Sequence, residues 1–142
     1  VERTTGAEPY VARKVLDGRR ILEMRDIARK VPADSELRRR AARICAASQP
    51  GSPRAPELVR RYVRCGASPR GAQAIVLGAK VHALLAGRST ATADDLPAVA
   101  HAALRHRLLL NYEGEAEGID PDRLVDALLE TFRAAGPSAQ SP

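Results

Sequence analysis

Apolar side chains recur at steps of three and four through most of this chain, the spacing of one face of an α-helix. Ile21, Met24, Ile27, Ala28 and Val31 mark the first such stretch, which runs from Asp17 to a stop at Pro32. Asp34 then offers a side-chain cap to a second helix whose Leu37, Ala41, Ile44 and Cys45 share a face. A loop rich in Pro, Gly and Ser, SQPGSPRAP at 48–56, separates this pair from the rest. Glu57 to Arg64 gives a short third helix with Leu58, Val59, Tyr62 and Val63 apolar. The fourth follows Ser68 and runs to about Ala86, with Ala72, Ile75, Val76 and Ala79 inward, Leu84 a further candidate, and Gly87 as its stop. Thr92-Ala-Asp-Asp95 resembles a capping box for a fifth helix ending near Arg107. Pro97 fits poorly just inside it, so its start is expected to be shifted or kinked. Asp120-Pro121 repeats the cap-then-proline signal, and Leu124, Val125, Leu128, Leu129 and Phe132 make the last helix strongly amphipathic.

The pattern predicts an all-α helical bundle of about six helices, with no strand and no internal repeat. Residues 1–16 lack a sustained period and read as a lead-in segment, 17–134 as the folded domain, and 135–142 (AGPSAQSP from Ala135) as a disordered tail. A length of 142 residues suits one domain with a real core. The chain opens at Val1 and its sole methionine is Met24, so it reads as an excised piece. Neither a signal peptide nor a run of roughly 18 apolar residues is seen, so a soluble protein is expected.

The net charge of +6 raises nucleic acid as a partner, because clustered cations bind phosphate backbones. The 23 cations are dispersed, however, and aromatic residues for base stacking amount to only 3%. The densest run, Arg38-Arg39-Arg40 with Arg43, falls on the predicted second helix and reads as a solvated face. A basic DNA-binding bundle or a structural adaptor is the alternative to the reading developed below. Cys45 and Cys65 form no CxxC and read as buried free thiols of a reducing cytoplasm. His82, His101 and His106 form no zinc pattern. Glu113, Glu115 and Glu117 lack the spacing of a calcium loop and read as a solvated acidic patch.

One residue stands out locally. In RCGASPRGAQ at 64–73, Ser68 can cap a helix and Pro69 suits its first position, which leaves Arg70 in the first turn. That end carries about half a positive charge, so a cation there is unfavourable by about 0.3–1 kcal/mol unless an anion joins it. A helix N-terminus with a guanidinium is a phosphate site in the making. The chain has no GxxxxGK[ST] loop, no strand ending in paired acids, no Gly-x-Ser-x-Gly elbow and no HExxH, so it is not expected to be catalytic by itself.

GASPRGAQAIVLGAKVHALLAGR at 66–88 and TADDLPAVAHAALRHRLLLNYEGEAEG at 92–118 resemble the C-terminal helical lid of MoxR-family AAA+ ATPases. The likeness extends from ERTTG at 2–6 to the last helix and is strongest from Tyr62 to Gly118. It implies that Ser68-Pro69-Arg70 is the sensor 2 motif and that Arg70 meets the γ-phosphate of ATP. The phosphate loop and the acids that hold Mg2+ would belong to an upstream ATPase domain. The resemblance further implies a bacterial, cytoplasmic chaperone-like machine in which neighbouring subunits form a homo-hexameric ring. Such rings remodel or mature partner complexes, often with von Willebrand factor A domain proteins. Neither a membrane nor nucleic acid is an expected partner. Arg105, His106 and Arg107 match the family's RHR element, which either complements a helix end or contacts nucleotide or a neighbouring subunit. Two departures are Gly71, where alanine is expected, and Pro97, where helix formers are usual.

Overall fold

The computed structural model describes residues 14–134, so the lead-in segment up to residue 13 and the tail from residue 135 lie outside the described residues. Seven α-helices account for most of the described chain: α1 (Gly18–Lys30), α2 (Ser35–Ala47), α3 (Glu57–Tyr62), α4 (Pro69–Leu85), α5 (Leu96–Leu104), α6 (Tyr112–Ala116) and α7 (Pro121–Ala134). The additional helix relative to the pattern is α6, a short piece inside the mixed acidic segment. Asn111 caps it by accepting from the Gly114 N–H at 2.8 Å.

Two short strands, β1 (Val63–Cys65) and β2 (Leu109–Leu110), form an antiparallel pair with Val63 opposite Leu110 and Cys65 opposite Leu109. This corrects the strand-free expectation and ends the third helix at Tyr62, not Arg64. The strands are too short to carry an alternating pattern, so tertiary contact defines them.

α4 is the central helix and packs against α1, α2 and α5, while α7 closes the bundle over α2, α3 and α5. Leu37, Ala41 and Ile44 of α2, Ile75, Ala79 and Ala83 of α4, and Leu124, Val125 and Leu128 of α7 are all buried in one core. The inward face of α4 is shifted from the expected one. Gly71, Ile75, Ala79 and Ala83 are buried, Ala72 and Val76 are half-buried, and Leu84 is exposed. Small residues dominate this face because α4 lies between two other helices and must let both backbones approach. Gly71 shows how closely. A Cβ there would sit 3.0 Å from Ala67 Cβ, 3.1 Å from Cys45 Sγ and 3.2 Å from Leu104 Cδ2. The glycine is therefore a packing requirement. Alanine recovers up to about 1 kcal/mol of helix propensity, whereas overpacking costs about 1–3 kcal/mol. Gly71→Ala is expected to destabilise the domain by about 1 kcal/mol, read as a lowered urea midpoint.

The other departure, Pro97, is accommodated as expected by a shifted start. A 3-10 turn at Ala93–Asp95 precedes α5, so Pro97 lies within its first two positions, where no backbone donor is lost. Gly87 ends α4 with φ +71, and the Arg88 N–H reaches back to Ala83 O at 2.8 Å. α1 is less covered than its pattern implies. Ala28 and Val31 are buried, but Ile21, Met24 and Ile27 are each more than half exposed.

The two thiols differ. Cys45 is buried and Cys65 is exposed in β1, which corrects its assignment to the interior. Burial pushes the Cys45 thiol up to about 11, so at neutral pH almost none of it is the reactive thiolate. A maleimide at pH 7 is expected to modify Cys65 and leave Cys45 intact until the chain is denatured, a result checked by mass spectrometry.

Candidate functional site

The segment that delivers Arg70 is held firmly by the end of α2. Buried Ser48 donates its hydroxyl to Cys45 O at 2.7 Å and accepts from the Ala67 N–H at 2.9 Å. The side chain of Gln49 adds a two-sided clamp. Its Nε2 donates to Ala67 O and its Oε1 accepts from the Gly66 N–H, both at 3.2 Å. Ser68 follows at the N-cap position with extended backbone (φ −72, ψ 173), and Pro69 opens the helix. The cap position is as expected, but the Ser68 hydroxyl makes no capping bond; its carbonyl accepts the Gly71 N–H at 2.7 Å instead. Ser68, Pro69 and Arg70 are all exposed. The first turn of α4 contains no acidic residue, and among the described residues no carboxylate pairs with Arg70.

Arg70 opens onto a cleft of about 690 Å³. Arg29 from the end of α1, Arg38 from α2, Lys80 from α4 and Arg107 from the 3-10 turn after α5 line the same cleft. Val76 and Leu77 give it an apolar wall, and among the described residues no carboxylate lines it. Two of the cations are steadied by backbone carbonyls: Lys80 Nζ donates to Arg29 O and Arg107 Nε to Ala103 O, each at 2.9 Å. Five like charges facing one opening repel, and a polyanion relieves that repulsion.

The arginines outside the cleft illustrate the alternative. Arg39 and Arg40 both pair with Glu36, at 2.9 and 2.8 Å, and the carboxylate is held below its ordinary value chiefly by the Arg40 hydrogen bond. The basic run of the second helix is thus split, with Arg38 turned to the cleft and its two neighbours engaged locally. Arg61 similarly bridges Glu113 (2.7 Å) and Glu117 (3.1 Å), while the Tyr62 hydroxyl donates to Glu117 at 2.8 Å. The acidic patch serves to fasten α3 to α6.

The RHR element divides in the same way. Arg105 Nε lies 3.1 Å from Asp122 of α7 and donates to His101 O at 3.3 Å, so it ties α5 to α7. His106 is exposed, and only Arg107 reaches the cleft. Both arginines meet carbonyls of the last turn of α5 through Nε.

One charged centre escaped sequence reasoning. Asp95, only 1% exposed, accepts from both terminal nitrogens of Arg88, sits 2.7 Å from His82 Nδ1, and accepts the Thr92 N–H at 2.9 Å. The Arg88 hydrogen bonds hold its carboxyl well below the usual carboxylate range, against the opposing effect of burial. The capping-box pattern located Asp95, but nothing in the pattern pointed to Arg88 or His82. The cluster pins the end of α4 to the start of α5.

The fold and this cleft define an AAA lid domain, and residues 55–128 match the family model of that description; the chain belongs to that family. Its relatives within that family include proteins named MoxR. It is 29% identical over 126 residues to Chaperone MoxR1 of Mycobacterium tuberculosis, covering 89% of this chain and 33% of that protein. Over 76 residues it is 41% identical to Protein MoxR of Methylorubrum extorquens, covering 52% of this chain and 22% of that one. A crystal structure of a protein designated an ATPase from Cytophaga hutchinsonii superposes with a TM-score of 0.74 at 29% identity, covering 84% of this chain and 36% of that chain. The chain thus spans about a third or less of the length of these relatives. No described helix is long and apolar enough to cross a membrane.

Proposed function

We propose that this chain is the sensor 2 lid through which a MoxR-type AAA+ ATPase couples ATP binding and hydrolysis to chaperone-like remodelling of partner complexes. The observation that carries the reading is the cleft: among the described residues five cations and no carboxylate line one opening, and Arg70 stands at a helix N-terminus beside it. These residues fit a nucleoside triphosphate, whose phosphate chain is the anion that the cleft lacks. They do not fit its magnesium ion, which needs oxygen ligands; those fall to an upstream ATPase domain. ATP, when bound, supplies the phosphoryl group that is transferred. Arg70 contributes a planar guanidinium from a helix start that the Ser48 and Gln49 clamp holds through Gly66 and Ala67, placed to stabilise charge on the γ-phosphate, the kind of electrostatic help on which phosphoryl transfer depends. Because α4 is the core of the bundle, engagement and release of Arg70 would turn the domain as one body. The companions of this reading are neighbouring subunits of a homo-hexameric ring and von Willebrand factor A domain proteins, in the cytoplasm. The test is ATP turnover of the parent polypeptide with Arg70 replaced; a large loss supports the reading and unchanged turnover overturns it. The DNA-binding alternative is weakened because Glu36 engages two cations of its basic face.

A further inference from the structure

Arg107 is the cation that sequence position explains least. It lies 37 positions beyond Arg70, in a 3-10 turn, and yet lines the same cleft. It shares that opening with Ala72, Gln73 and Val76 of α4 as well as with Arg70. The Nε donation to Ala103 O uses one of the five guanidinium N–H groups and fixes the stem. The four on the terminal nitrogens have no carboxylate partner among the described residues, although Arg105, two residues earlier, has found one in Asp122. Two guanidiniums on separate elements that line one cleft, one of them at a helix N-terminus, suit an anion with several phosphate groups better than a single carboxylate.

We infer that Arg107 is a second phosphate-binding residue of this cleft, acting with Arg70 on the polyphosphate chain of a nucleoside triphosphate. This rests on the reading of the cleft as the nucleotide-facing surface. Arg70 comes from the helix and Arg107 from the turn beyond α5, so the bound chain would link α4 to the α5–α7 side of the bundle. Arg105 is the structural partner in the same element, held to α7.

The test is titration of the 142-residue chain with inorganic tripolyphosphate at low salt, read as the ligand-induced rise in melting temperature. Wild type is expected to show a saturable rise. Arg107→Gln should weaken the apparent affinity about tenfold, near 1.4 kcal/mol, and Arg107→Lys by less, since it keeps the charge without the fork. Arg39→Gln, outside the cleft, should match wild type. Should Arg107→Gln fail to fold, the Nε–Hε resonance of Arg107 in the wild-type chain provides the second measurement, and it is expected to shift on adding tripolyphosphate. ATP should displace tripolyphosphate, which distinguishes a nucleotide site from one for free polyphosphate. Wild-type affinity in folded Arg107→Gln, or an unmoved Arg107 resonance, overturns the proposal. The sensor reading of Arg70 is decided apart from this titration, by turnover of the parent polypeptide with Arg70 replaced, so the two readings fail separately. Stronger displacement by a DNA duplex than by ATP also overturns the Arg107 proposal.

Discussion

Replacing Arg70 by alanine in the parent ATPase is expected to lower steady-state turnover by at least about 100-fold, with nucleotide binding largely kept. That size is typical of removing one preorganised charge from a transition state. The structure favours a clean result, because Arg70 is exposed and makes no ion pair among the described residues that its loss would break. The melting temperature should accordingly stay at the wild-type value. Arg70→Lys should fall between the two, keeping the charge but losing the planar fork. Turnover equal to wild type would leave Arg70 as a solvated helix residue and return attention to the basic face of α2.

The second large effect concerns Asp95. Asp95→Ala removes the acceptor of the Thr92 N–H and the partner of Arg88 and His82, and leaves a void at a buried position. A loss of about 3 kcal/mol is expected, near the lower bound for breaking a buried charged network, or about 10 °C in melting temperature. The pH dependence has a definite sign. The folded carboxyl titrates below its unfolded value of about 3.9. Its stabilisation is therefore complete above that unfolded value and is lost as the pH falls through the folded one. The gap between wild type and Asp95→Ala should be constant from about pH 5 to 8 and close in stronger acid. Arg88→Ala is the sharper variant, since it leaves the carboxylate buried and short of its main partner. At pH 7 the double change Arg88→Ala with Asp95→Asn should be the more stable of the two. Thermal melts across a pH series check both statements, and a gap that widens in acid would contradict the first.

Most of the helical framework was legible because it rests on local signals. The spacing of Leu37, Ala41 and Ile44, the Asp34 cap on the Leu37 N–H, and the glycine stop at Gly87 are each written within a few residues. The placing of Arg70 in the first turn of α4 was legible for the same reason. The strand pair was not, because Val63 and Leu110 are brought together by the bundle and not by any pattern of their own. Cys65 misled for that reason: beside apolar neighbours it resembled a helix residue, and the strand turned it outward. The cleft was hidden more deeply. Arg29, Arg38, Lys80 and Arg107 belong to four different elements, and charge on a solvated surface follows no period that sequence could expose. Equally, the sequence could not separate Arg105 from Arg107, since only the position of Asp122 on α7 distinguishes them. Gly71 resembled a weak helix former because the close approach of Cys45 and Leu104 is a property of packing.

The length of α4 has a mechanical meaning. Its 17 residues extend roughly 25 Å, at about 1.5 Å per residue. Arg70 sits near one end, pinned through Ala67 to Ser48, and Leu85 near the other is 84% exposed. If the domain turns by about 10° about the Arg70 end of α4, the far end of this rod sweeps through roughly 4 Å, a displacement on the order of a full turn of helical rise. Such a lever needs no bending of its own, because the Ser48 and Gln49 clamp on Gly66 and Ala67 keeps the start of α4 fixed to the rest of the bundle. On the proposed reading, in which the domain turns as one body, a turn that begins at Arg70 is carried along this rod to an exposed leucine at its far end.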